Sequence, residues 1–165
     1  MRYIRWFSEI TKDDVRIAGG KGANLGEMFR AGFPIPLGFV ITSNAYFECL
    51  DKTGIKVKIA DILSKLDIND PKKLEEASRR IQEIIKGVKM PSVISKEIVE
   101  AYDKLTKELG REPLVAVRSS ATAEDLPKAS FAGQQATFLN VKRDQLIEAV
   151  KACWASLFTA RAIFY

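Results

Sequence analysis

Apolar and basic positions alternate from Tyr3 to Phe7, the two-residue period of a strand. Asp13 to Gly19 approaches a turn. Gly19-Gly20-Lys21-Gly22 is expected to form that turn, because glycine forfeits backbone entropy inside a helix or strand. Ala23 to Arg30 has helical spacing and stops at Gly32. Prolines extend Phe33-Pro34-Ile35-Pro36, and Leu37 to Ile41 predicts a buried strand. Thr42 or Ser43 is placed to cap a short helix running to Leu50.

Helices dominate the middle of the chain. One is expected over Ile55 to Leu66. A second starts at Asp70-Pro71, an acidic cap followed by proline at the first helical position. Leu74, Ala77, Ile81, Ile84 and Ile85 form its apolar stripe, and Gly87 ends it. A third carries Ile94, Ile98, Tyr102, Leu105 and Leu109 on one face and closes at Gly110. Leu114-Val115-Ala116-Val117 then predicts a short buried strand ending at Arg118, and Thr137 to Val141 alternates like a half-buried one. Between them, Ser119 to Gln135 is polar and rich in small residues. Leu146, Val150, Cys153, Leu157, Ala160 and Phe164 mark a long amphipathic helix reaching Tyr165 without a stop signal. We read that helix as cut by a boundary inside a longer domain.

At 165 residues and 47% hydrophobic, the chain has the length and composition of one mixed α/β domain. No apolar run approaches the roughly 20 residues of a membrane span, and the N-terminus lacks a signal-peptide core, so a cytoplasmic protein is expected. Cys49 and Cys153 are too few for a disulfide scaffold and are expected to be reduced thiols. The chain has no histidine, which excludes a Ser-His-Asp or Cys-His unit, a histidine-ligated metal and a phosphohistidine within it. Its 26 basic residues exceed 21 acidic ones, but the excess is dispersed. Lys52, Lys56, Lys58, Lys65, Lys72, Lys73, Arg79 and Arg80 read as solvated helix faces, not as a nucleic-acid surface.

Two segments carry candidate chemistry. Gly19-Gly20-Lys21-Gly22-Ala23-Asn24-Leu25-Gly26 is a glycine-rich turn with one lysine, opening a helix. Backbone amides at a helix start and a lysine charge suit a phosphate, although a tight structural turn satisfies the same spacing. It is neither a Walker A loop nor the dinucleotide fingerprint, since Leu25 stands where a third glycine or alanine would be. The second segment is Val117-Arg118-Ser119-Ser120-Ala121-Thr122-Ala123-Glu124-Asp125, continuing through Ala129 to Gln135. An arginine leaving a strand end presents a planar fork suited to phosphate oxygens. Spacing alone also allows Arg118 to pair with Glu124 or Asp125, the loop merely joining two strands.

These blocks, with Gly38-Phe39-Val40, Ala129-Ser130-Phe131-Ala132-Gly133-Gln134-Gln135 and Cys153-Trp154-Ala155-Ser156-Leu157-Phe158, occur in an order that resembles the nucleotide-binding region of the phosphoenolpyruvate synthase family. The resemblance covers essentially the whole chain. It implies the first part, residues 1–165, of an ATP-grasp nucleotide-binding domain, with a short mixed sheet and flanking helices. It also implies that Lys21 and Arg118 contact ATP phosphates, that Gly133 and Thr137 line the nucleotide loop, and that Ser119 and Ser120 are secondary nucleotide-binding candidates. In the family, a phosphohistidine on another domain passes the phosphoryl group to pyruvate, so ATP, pyruvate and the remaining domains are the implied partners. Mg²⁺ is the implied metal, its ligands expected outside this chain. Ala136 departs from the acidic residue common after the paired glutamines. A rifamycin phosphotransferase-like parent shares nearly the same blocks, and a non-catalytic nucleotide-binding module remains a third reading. The isolated chain is expected to be inactive.

Overall fold

The computed structural model describes residues 3–120, 137–160 and 163. Expectations falling on Gly133, Glu124, Asp125, Ala136 and Phe164 lie outside the described residues. Strand β1 (Ile4–Trp6) pairs antiparallel with β2 (Phe39–Ile41), and β3 (Val115–Arg118) pairs antiparallel with β4 (Thr137–Val141). The described strands therefore form two antiparallel ladders where one short mixed sheet was expected. Helices α1 (Val15–Arg30), α2 (Ser43–Thr53), α3 (Ile55–Ser64), α4 (Pro71–Gly87), α5 (Ser92–Leu109) and α6 (Leu146–Ala155) complete the α/β architecture. Among the described residues no helix is long and apolar enough to cross a membrane.

Local sequence explains most of these elements. The Asp70 carboxylate accepts from the amides of Lys72 and Lys73, and Pro71 occupies the first turn, so α4 starts where its cap stands. Gly54 and Gly110 adopt the left-handed conformation that closes α2 and α5. One apolar cluster joins Tyr3 and Ile4 of the first ladder to Ile94 and Ile98 of α5 and Leu146 and Val150 of α6. A second gathers Leu50, Ile55, Ile59, Ile81, Ile85 and Ala155 beneath α2, α3 and α4. The lysines and arginines read as solvated helix faces are exposed.

Four expectations are corrected. The glycines do not all lie outside a helix: Gly20, Lys21 and Gly22 belong to α1, and only Gly19, at φ 71° and ψ 172°, breaks it. Close packing outweighs the glycine penalty, since a Cβ on Gly26 would stand 2.6 Å from the Ile10 Cβ and one on Gly22 3.1 Å from Val40. Neither β2 nor β3 is the buried strand expected: β2 is half-buried throughout, and Leu37 before it is exposed. Strand β3 alternates, with Val117 against the core, and Leu114 just before it is 58% exposed. Leu109 is likewise 40% exposed at the C-terminal end of α5. Finally, α6 ends at Ala155, tightens into a 3₁₀ turn over Ser156–Phe158, and becomes extended at Thr159. The Phe158 carbonyl leaves the helical ladder and accepts instead from the Ser78 hydroxyl at 2.6 Å and the Gln82 amide at 3.2 Å.

Candidate functional site

The glycine-rich segment and the arginine–serine segment meet. The Lys21 ammonium lies 3.4 Å from the Ser119 carbonyl oxygen, 98 positions later in the chain. The Gly22 amide donates to the Ser120 hydroxyl at 2.9 Å, and that hydroxyl donates to the Ala18 carbonyl at 2.6 Å. Gly19 is where the two segments touch most closely: a Cβ there would fall 1.9 Å from the Ser120 carbonyl oxygen. Only glycine combines that approach with a positive φ.

Arg118 is the last residue of β3 and stands opposite Thr137 in the ladder register. Both are exposed, on the side away from the core, whereas their neighbours Val117 and Phe138 pair on the inner side. Ser119 is buried and Ser120 half-buried. Of the six residues singled out from sequence, Lys21, Arg118, Ser119, Ser120 and Thr137 thus gather at one strand end. The sixth, Gly133, lies outside the described residues.

Cys153 adds a residue that sequence reasoning assigned only to the apolar stripe of the last helix. Its thiol donates to the Val117 carbonyl at 3.6 Å, directly behind the strand end. Burial pushes that thiol up to about 11, opposed by the positive charge of Lys21. Cys49 is also raised by burial, with Lys151 opposing. Both thiols are free and buried, so neither is a nucleophile at neutral pH. No sequence period could have shown that Cys153 and Lys21 sense each other.

An open surface cavity of about 370 Å³ lies elsewhere along α1, lined by Thr11, Lys12, Asp13, Glu27, Arg30 and Ala31. It contains none of the gathered residues. Its polar groups are tied to one another: the Lys12 amide donates to Glu27, and the Thr11 amide to the neighbouring Asp14. We therefore place the candidate site at the strand end, where Lys21 meets the residue that follows Arg118, and not at this cavity.

Chemically, the strand end offers an ammonium and a guanidinium, cations suited to a polyphosphate. Among the described residues no three His, Cys, Asp or Glu side chains gather as a metal site.

Comparison with known proteins agrees with this chemistry. Residues 15–165 match the family described as pyruvate phosphate dikinase, AMP/ATP-binding domain. A probable phosphoenolpyruvate synthase of Staphylothermus marinus is 54% identical over 168 residues, covering 99% of this chain and 20% of that protein. The corresponding protein of Archaeoglobus fulgidus is 55% identical over 163 residues, with 98% and 22% covered. The phosphoenolpyruvate synthase of Pyrococcus furiosus is 46% identical over 198 residues, with 99% and 24% covered. The chain spans about a fifth of the length of these relatives. With residues 15–165 matched by the family model, this chain belongs to the pyruvate phosphate dikinase AMP/ATP-binding domain family.

Proposed function

We propose that the chain is the ATP-binding portion of a phosphoenolpyruvate synthase, the first part of an ATP-grasp unit whose remainder lies in the same polypeptide. The parent reaction converts ATP, pyruvate and water to phosphoenolpyruvate, AMP and phosphate. In this reading the Lys21 ammonium and the Arg118 guanidinium bracket the triphosphate, neutralising charge that phosphoryl transfer redistributes. Thr137, beside Arg118 in the ladder, and Gly133 border the nucleotide, with Ser119 joining Lys21 to the strand end.

The observation that carries the reading is the seating of Lys21 on the Ser119 carbonyl, one residue beyond Arg118. The 165 residues hold no histidine, and in this reading the phosphoryl acceptor is a histidine on another part of the polypeptide. Mg²⁺ belongs to the same proposal, its ligands expected outside the described residues, which offer no cluster of three His, Cys, Asp or Glu side chains. A cytoplasmic location suits two free thiols.

Phosphorus NMR of the intact polypeptide with ATP and pyruvate tests this. The expected products are phosphoenolpyruvate, AMP and phosphate in equal amounts. ADP as the sole nucleotide product, or no dependence on pyruvate, would contradict the proposal.

A further inference from the structure

In an uninterrupted α-helix the amide of residue 22 donates to the carbonyl of residue 18. Here the Ser120 hydroxyl stands in that rung, accepting from the Gly22 amide at 2.9 Å and donating to the Ala18 carbonyl at 2.6 Å. A side chain inserted into the helical ladder is a specific cause of a kink. The kink is at Gly19, between the two bridged residues, where a Cβ would come within 2.4 Å of the Ser120 Oγ. A hydroxyl suits the place because it donates and accepts at one atom. Ser120 follows Arg118 by two residues, and Lys21 lies inside the bridged rung. One side chain therefore fixes the glycine-rich segment on the strand end from which the arginine leaves.

We propose that Ser120 is a positioning residue of the nucleotide site: its hydroxyl, bridging Ala18 and Gly22, sets where the Lys21 ammonium stands relative to the Arg118 guanidinium, and does not itself hold the nucleotide. This rests on the reading of Lys21 and Arg118 as phosphate ligands. It changes the role expected of Ser120 from a residue beside the phosphates to one committed to the helix. Both of the hydroxyl's strongest partners are backbone groups of α1, and its single proton is donated to Ala18.

A double-mutant cycle separates positioning from a contact and from a merely structural role. The dissociation constant for ATP in excess magnesium chloride is measured on the intact polypeptide, on Ser120→Ala, on Lys21→Ala and on the double variant. The expected result is a loss of about tenfold for Ser120→Ala in the parent, the scale of one lost hydrogen bond to the backbone. In the Lys21→Ala background the same change weakens binding less than about twofold, because the cation being positioned is gone. An equal fold-loss in both backgrounds, or unchanged affinity with only a lowered melting temperature, overturns the positioning role. If Lys21→Ala leaves affinity unchanged, the ligand reading itself falls, whatever Ser120→Ala does. Should Ser120→Ala not fold, Ser120→Cys, close in size but a weak donor and acceptor, enters the same cycle under the same criteria.

Discussion

The Lys21 ammonium reaches the carbonyl oxygen of Ser119, and its charge is felt by the thiol of Cys153 behind the strand. This gives a test of the lysine's placement that needs no nucleotide. Cys153 titrates near 11, and Lys21 holds it below where burial alone would put it. Lys21→Met is expected to move the thiol higher still, read as slower alkylation of Cys153 by iodoacetamide between pH 9 and 11. Alkylation at the parent's rate would mean that the ammonium is not beside Cys153.

The same thiol makes stability depend on pH. Its folded pKa, about 11, lies above the ordinary value of 9.0, so above pH 9 the unfolded chain loses a proton that the folded chain keeps. Stability from this group is full below pH 9 and falls as pH rises towards 11. Cys49 acts in the same direction. Melting temperatures between pH 8 and 10 are expected to fall more steeply for the parent than for Cys153→Ala. Parallel slopes would show that the thiol is not buried as described.

Gly26 lies against Ile10, where an added Cβ would meet the Ile10 Cβ at 2.6 Å and its carbonyl oxygen at 2.7 Å. Helix propensity alone favours alanine at such a position by about 1 kcal/mol. Overpacking against backbone reverses that preference, and Gly26→Ala is expected to cost about 1–3 kcal/mol by denaturant unfolding. A stabilised variant would contradict the close approach.

The contrast between propensity and packing marks how far the sequence could be read. The Asp70-Pro71 start and the apolar stripe of α4 are local signals, and the structure carries both. The glycine run defies its local pattern because its penalty is local while its compensation is not: Ser120, Val40 and Ile10 come from distant parts of the chain. The early end of α6 is a similar case, set by Ser78 and Gln82 capturing the Phe158 carbonyl across 80 and 76 positions. At the candidate site, residue types and motif spacing pointed to Lys21 and Arg118 one at a time. The contact of Lys21 with the Ser119 carbonyl, the bridge made by Ser120 and the thiol behind Val117 are tertiary facts that no period encodes.

Asp70 gives a local prediction in return. Its carboxylate satisfies two amides at the start of α4, the helix that underlies the second apolar cluster. Asp70→Ala is expected to lower stability by about 1 kcal/mol, and Asp70→Ser to restore most of it, by denaturant unfolding. Equal losses for both would exclude the cap.

The central claim is that the guanidinium at the end of β3 reads phosphate. Its most direct measurement compares ATP with adenosine binding to the intact polypeptide and to Arg118→Ala at one salt concentration. ATP binding is expected to weaken by about tenfold or more, the scale of one lost charge-assisted contact, while adenosine binding is unchanged. Equal weakening of the two ligands, or no change in either, would contradict it.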